Sequence, residues 1–297
     1  KEHVAGAIFC TAATTPNAPC RVRDVISDGH KYVWAAVSET DTIAVFDIDT
    51  GDLVASMPTC VNPSRMEYQP LRQELWVQCW VSPNTERGDI QVYSTNSLSM
   101  LLDNGISLPR NVDRDVDIAD GVVVVDPTLP NIGFATSRKS TDLFELDLNR
   151  KRVSKTITLG SAGGGLRSMH YCSGNKHLFI RAYVCCTCEG AQSADCSSFT
   201  PYPVNITTGP NAGTSNILGI CGSACAGTQA DTVGVQEYNT VTGNVVTDWQ
   251  FPHGNGGAFA RVSPKGDYIV LLGNDGGNNA RVLRAGEVGT PSTAVGD

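Results

Sequence analysis

Positive charge is the scarcer sign in this chain, with 22 Lys and Arg against 30 Asp and Glu and a net charge of −8. An acidic surface repels phosphate backbones, which excludes nucleic acid as the expected partner. Long apolar runs are lacking as well. No stretch reaches the roughly 18 residues that a membrane-spanning helix needs. Aromatic residues make up only 7% of the 297, and helix signals are almost absent. The G-x-S-x-G elbow of a hydrolase nucleophile does not occur. The Gly-rich GSAGGGLRS (160–168) lacks the Lys-Ser/Thr ending of a phosphate loop and reads as a connection between repeats. No secretory leader is visible, and the start at Lys1 rather than Met reads as a processed N-terminus.

What is present is repetition. A turn, an apolar strand, a polar hairpin, a second apolar strand, a Gly or Asn turn and a third strand recur along the chain. The copies are HKYVWAAVSETDTIAVFDIDTGDLVASM (30–57), QELWVQCWVSPNTERGDIQVYSTNSLSMLL (73–102), NIGFATSRKSTDLFELDLNRKRVSKTITL (131–159) and DYIVLLGNDGGNNARVLRAGEVG (267–289). A fifth copy is split, with HLFIRAYVC (177–185) opening it and DTVGVQEYNTVTGNVVTDWQF (231–251) completing it. Strand-only self-similarity at a period of roughly 40–50 residues is the signature of a β-propeller. The expected fold is all-β, a β-propeller of five to seven blades with six slightly favoured, as one domain over 1–297. A short strand precedes each copy. Val25-Ile26-Ser27-Asp28-Gly29 leads into Tyr32, Tyr68-Gln69-Pro70 into Leu75, Val125-Asp126-Pro127 into Ile132, and Val262-Ser263-Pro264-Lys265-Gly266 into Tyr268. The second strands are near-continuous apolar runs and are expected to be buried on both faces. The third strands set Ile43, Val45 and Ile48 against Asp47 and Asp49 and are expected to be half exposed. One more apolar stretch, Val4 to Phe9, is expected to pair with the last repeat and close the ring, because little follows Arg281-Val282-Leu283 to make a fourth strand.

Eleven cysteines are many for a reducing compartment. Cys10, Cys20, Cys60, Cys79, Cys172, Cys185, Cys186, Cys188, Cys196, Cys221 and Cys225 are candidate disulfide partners in a secreted, extracellular protein. An odd count leaves one thiol free or paired between chains. Six of them crowd residues 186–230 and their edge, a Cys-rich insertion in the split copy. Cys186-x-Cys188 with Cys221-x3-Cys225 could ligate zinc, but the spacing differs from the usual zinc pairs and disulfides are the stronger reading. Asn205-Ile206-Thr207 is a glycosylation sequon in the same stretch.

Propellers bind ligands at the mouth of a channel lined by innermost strands. The candidates there are Arg23, Arg65, Glu67, Arg167, His170 and Arg261, with His253 just before the last inner strand. Converging Arg side chains favour a carboxylate, sulfate or phosphate. The bland reading is that these Arg and Glu side chains pair with one another. Asp113, Asp115 and Asp117 alternate in NVDRDVDIAD (111–120), a pattern that suits calcium, although the spacing is not that of an EF-hand. His170 and His177 flank the fourth hairpin without metal-like spacing. Trp34, Trp76 and Trp80 lie in second strands and read as packing.

Ala44-Val45-Phe46-Asp47-Ile48-Asp49-Thr50-Gly51 matches the V-F-D-x-x-T-G turn of the YVTN-type propeller repeat, and Glu237-Tyr238-Asn239-Thr240-Val241-Thr242-Gly243 matches it more loosely. On these residues the chain resembles that repeat. PLRQELWVQCW (70–80) is similar to the propeller of secreted follistatin-like glycoproteins. The resemblance implies an extracellular interaction platform and carries over no catalytic residue. The expected function is therefore a secreted, disulfide-stabilised binding module for an extracellular protein, a glycan or a small anionic ligand. One alternative is a calcium-dependent hydrolase of lactonase or esterase type, with Glu67, Asn111, Asp115 and Asn255 as the nearest equivalents. Another is a structural matrix or adhesive component linked between chains by the odd cysteine into a disulfide-bonded oligomer.

Overall fold

The computed structural model describes residues 22–79, 90–102, 104–109, 123–126, 129–136, 142–159, 166–183, 233–251, 258–273 and 280–295. These form five antiparallel sheets of four strands, each with its strands in sequential order. The first holds β1 (Val22–Ser27), β2 (Tyr32–Val37), β3 (Thr42–Asp47) and β4 (Leu53–Pro58). The second holds β5 (Pro63–Gln69), β6 (Glu74–Cys79), β7 (Ile90–Ser94) and β8 (Ser99–Met100). The third holds β9 (Val123–Val125), β10 (Ile132–Ala135), β11 (Asp142–Asp147) and β12 (Arg152–Thr158). The fourth holds β13 (Leu166–Cys172), β14 (His177–Tyr183), β15 (Val233–Asn239) and β16 (Asn244–Phe251). The fifth holds β17 (Ala258–Val262), β18 (Tyr268–Gly273), β19 (Ala280–Arg284) and β20 (Thr293–Ala294). No helix occurs among the described residues. The strands cluster into two compact units. One contains β1–β10 with most of β11 and β12, and the other contains β13–β20 with the ends of β11 and β12.

The split copy is one sheet. β14 and β15 pair in continuous register from His177↔Asn239 to Tyr183↔Val233. Residues 184–232 therefore run between two neighbouring strands, and they lie outside the described residues, as do 1–21.

Period-2 geometry explains why the second strands are near-continuous apolar runs. Every residue of β6 is buried. Leu75 and Val77 pack with Trp34, Ile43 and Val45 of the first sheet. Trp76 points the other way and packs with Val125, Ala135, Phe144 and Leu146 of the third. Each fully buried Leu, Val or Ile contributes roughly 1.5–3 kcal/mol, so an apolar residue is favoured at every position rather than every second one. In the second unit Cys172, Phe179 and Val235 of the fourth sheet pack with Ala260, Ile269, Leu271 and Leu283 of the fifth.

The third strands of the first two sheets differ from expectation, whereas β11 is partly exposed and β19 mostly exposed, as expected. Ile43, Ala44, Val45 and Phe46 are all buried, and so are Ile90, Gln91, Val92 and Tyr93. In the first and third sheets the fourth strands, β4 and β12, are mostly exposed. The fifth sheet also has a fourth strand that the sequence did not suggest: Thr293 and Ala294 pair with Arg284 and Leu283.

The turn between third and fourth strands shows why the recurring motif reads Asp/Asn-x-x-x-Gly. Asp47 Oδ1 accepts the N–H groups of Asp49 and Thr50, each at 3.0 Å. Asp147 does the same for Asn149 and Arg150, each at 3.0 Å. Asn239 Oδ1 accepts from Val241 at 2.9 Å and Thr242 at 3.0 Å. The residue after this Asx-turn is left-handed, with φ 75° at Gly51, 77° at Gly243 and 50° at Lys151, and so is Leu98 at 51° after the equivalent Ser94 turn. A second repeated bond ties each turn to the start of its second strand. Ile48 N–H donates to Lys31 O at 2.8 Å, Thr95 to Gln73 at 3.0 Å, Leu148 to Asn131 at 3.0 Å, Thr240 to Lys176 at 3.2 Å and Ala285 to Asp267 at 2.8 Å. Five copies of one bond establish the sheets as true structural repeats.

Candidate functional site

The first strands break the apolar rule, and the register shows where. Glu67 lies opposite Trp76, His170 opposite Phe179 and Arg261 opposite Val270. Trp76, Phe179 and Val270 are each the third residue of their second strand. Three of the sequence candidates thus occupy one structural position in three sheets. The same position holds Ile26 in the first sheet and Val124 in the third. Arg65, opposite Gln78, matches Asp24, opposite Ala36.

β-Bulges interrupt three of these strands, at Val22/Asp24, Pro63/Arg65 and Leu166/Met169. Arg23 lies within the first of them and Arg167 within the third. An extra residue bends a strand and re-aims its neighbours, which is why bulges gather beside binding and catalytic sites.

In the first unit Asp24 links two sheets. Its Oδ2 accepts the Met66 N–H of β5 at 2.9 Å, and its Oδ1 accepts the Val25 N–H at 3.0 Å. Glu67 is half-buried in β5, next to Met66. Desolvation first and the neighbouring Asp24 carboxylate second push its carboxyl up to about 8, with Arg65 acting in the opposite sense. Arg23 and Arg65 are also half-buried. Sequence reasoning missed Asp24. The only available signal was a charged pair, Arg23-Asp24, within a strand otherwise of apolar and small residues.

In the second unit Arg261 Nη1 donates to His170 Nε2 and to Ala260 O, the latter at 3.0 Å. The structure therefore brings together two residues that lie far apart in sequence. Arg167 belongs to β13, like His170. His253 lies outside the described residues.

His177 is not a surface ligand. It is fully buried, and its Nδ1 lies 2.7 Å from Glu237 Oε1. Trp34 and Trp76 are fully buried packing residues, as expected, while Trp80 lies outside the described residues. Ion pairing between sheets does occur, at other residues. Glu74 Oε1 lies 2.8 Å from Lys151 Nζ, and its Oε2 lies 2.8 Å from Arg72 Nε.

Cys60 and Cys79 form a disulfide, and both are buried. Cys172, a candidate partner by sequence, instead carries a free thiol. Its Sγ donates to Gly266 O at 3.2 Å, and burial pushes the thiol pKa up, which makes it inert. Asn111, Asp113, Asp115, Asp117, Asn205, Asn255 and Cys10, Cys20, Cys185, Cys186, Cys188, Cys196, Cys221 and Cys225 lie outside the described residues. Among the described residues no group of three or more His, Cys, Asp or Glu is placed to hold a metal ion. No helix there is long and apolar enough to cross a membrane.

No protein-family model matches this chain. Solved structures resemble it in fold. Hydrazine synthase of Kuenenia stuttgartiensis aligns with a TM-score of 0.62 at 10% identity, over 93% of this chain and 66% of that one. The WD40 domain of Toxoplasma gondii coronin aligns with a TM-score of 0.59 at 9% identity, over 93% of this chain and 58% of that one. A functionally unknown protein from Desulfotomaculum acetoxidans aligns with a TM-score of 0.57 at 10% identity, over 95% of this chain and 70% of that one. The chain thus spans about two thirds or less of the first two. At such identity the likeness is one of fold, and fold does not carry function. The repeated four-stranded sheets and these neighbours together give the chain a β-propeller fold.

Proposed function

We propose that the chain is a secreted, disulfide-stabilised β-propeller that acts as a binding module, with a protein, a glycan or a small anion held by the first strands of its sheets. One observation carries this reading: Glu67, His170 and Arg261 share the first-strand position that is Ile26 and Val124 elsewhere. At Glu67 and His170, which are half-buried, an ionisable side chain forgoes part of the stability of apolar burial, so it is there for another reason, while Arg261 stands exposed. The bulges containing Arg23 and Arg167 add to it. The buried Cys60–Cys79 bridge, the Asn205 sequon and the YVTN-type and follistatin-like resemblances support an oxidising, extracellular setting.

The test is binding by the protein expressed through a secretory pathway, against sulfated and carboxylated glycans. Wild type should bind an acidic glycan, and Arg65→Gln or Arg261→Gln should weaken it by at least about tenfold, roughly the worth of one charge-assisted contact. If wild type binds none of them, or both variants bind as wild type does, the first strands are scaffold and the reading is wrong.

A calcium-dependent hydrolase is the second reading, favoured by the Asp24 carboxylate acting on that of Glu67, a charge conflict that a divalent cation would relieve. Calorimetric titration of chelator-stripped protein with calcium decides it. No binding heat rules the reading out. Cross-linking through Cys172 finds no support, because that thiol is buried.

A further inference from the structure

We infer that His170 and Arg261 form an oxyanion site, for sulfate or carboxylate, whose affinity rises as pH falls. This rests on the first strands being a ligand surface, and it adds the ligand's chemistry and its control. Arginine has no acceptor, so in the bond between Arg261 Nη1 and His170 Nε2 the imidazole must accept. That fixes His170 as neutral, with its proton on Nδ1. Arg261 is exposed, and among the described residues it pairs with no carboxylate. Its remaining N–H groups include the Nε/Nη2 edge, the fork that fits two oxygens of a carboxylate or sulfate.

Protonation of His170 changes the pair. Nε2 gains a hydrogen, loses its role as acceptor, and two cations then stand side by side. An anion bridging them accepts from both and offsets their repulsion. By linkage, the anion that favours His170 protonation must bind more tightly when His170 is protonated. The charged and titratable groups on neighbouring elements are few. Arg261 comes from β17. Glu237 stands in one cross-strand row with Phe179 and His170. His177 and Cys172 form the next row on that face, with His177 held by Glu237 and the Cys172 thiol by Gly266 O. Arg167 and Arg181 belong to β13 and β14. Among the described residues no carboxylate pairs with Arg261 to compete with the anion.

The experiment titrates the full chain with sulfate and, separately, acetate at about pH 5.5 and 7.5, following the imidazole nitrogens by NMR. Sulfate should bind on the order of tenfold more tightly at the lower pH, with the His170 Nε2 resonance moving from acceptor to donor position. His170→Gln keeps an acceptor for Arg261 but cannot titrate, so it should bind weakly at both pH values with no such gain. Arg261→Gln should abolish binding at both. Tighter sulfate than acetate points to a sulfated ligand, and the reverse to an acidic sugar or peptide. A pH gain retained in His170→Gln overturns the gating while leaving the site. Unchanged binding in Arg261→Gln overturns the site and, with it, the ligand surface of the second unit. Thermal unfolding of each variant confirms that the fold is kept.

Discussion

His177 Nδ1 meets Glu237 Oε1 at 2.7 Å, with both side chains wholly shielded from water. The same Oε1 accepts the Ser292 N–H and Oγ–H, each at 2.9 Å, and Asn175 Nδ2 at 3.3 Å. Glu237 lies opposite the third residue of its second strand, where the first two sheets have Val45 and Val92. An acid has replaced a valine, and it fastens the segment leading into β20. Asn239 Nδ2 adds a bond to Gly289 O at 2.8 Å, and Gly289 N–H donates to Asn175 O at 2.9 Å.

Removing one member of a buried polar network strands the others without partners. Glu237→Ala should therefore lower stability by about 3–5 kcal/mol in urea unfolding. His177→Ala should cost less in that background than in wild type, because its partner is already gone. A Glu237→Ala loss under about 1 kcal/mol would show that the cluster contributes nothing.

The repeats were legible because second-strand burial on both faces leaves a near-continuous apolar run, and because the Asx-turn needs Asp or Asn and favours Gly at the left-handed position four residues on, as at Gly51 and Gly243. Even the split copy could be joined across 184–232 on those signals. The third strands misled, since Asp47 and Asp49 flag a turn at the strand's end rather than an exposed face along its length. The His177–Glu237 pair was invisible. The two residues stand 60 apart in the chain, and a lone Glu in VGVQEYN looks like any solvent-facing residue. His170 and Arg261 were named as candidates, but their bond needs two sheets to meet, which local pattern does not encode.

Gly174 and Gly266 lie at a close approach of two turns in the second unit. A Cβ on Gly174 would stand 2.0 Å from Gly266 O, and one on Gly266 would stand 2.7 Å from Gly174 N. Gly266 also has φ 71°. Gly266→Ala combines left-handed strain, about 1–2 kcal/mol, with a backbone clash, so a loss of at least about 2 kcal/mol is expected. Gly29→Ala is the control, with φ 76° and nothing within 4 Å of its Cβ. It should show the strain alone. Equal losses for the two variants in thermal unfolding would mean that the turns do not pack as described.

Glu67 gives the chain a pH dependence of unusual sign. Its carboxyl is pushed from 4.5 up to about 8, first by desolvation and then by the Asp24 carboxylate. Between those values the folded state holds a proton that the unfolded state has released. The folded chain thus binds more protons, and stability must fall as pH rises through that window. Below the ordinary carboxylate range both states are protonated and the contribution is complete, while above about 8 it is lost. Glu67→Gln keeps the shape and cannot ionise. Urea midpoints taken from about pH 5 to 8.5 should decline for wild type and decline less for the variant. The variant should be more stable by roughly 1–3 kcal/mol at the upper end, a figure discounted because Glu67 is only half-buried. Asp24→Asn should shift the wild-type decline to lower pH by removing the like charge, though it also changes the acceptor of the Met66 N–H. Parallel pH profiles for wild type and Glu67→Gln would show Glu67 ionised throughout. The conflict between Asp24 and Glu67 would then already be relieved, and the argument for a cation between them would go with it.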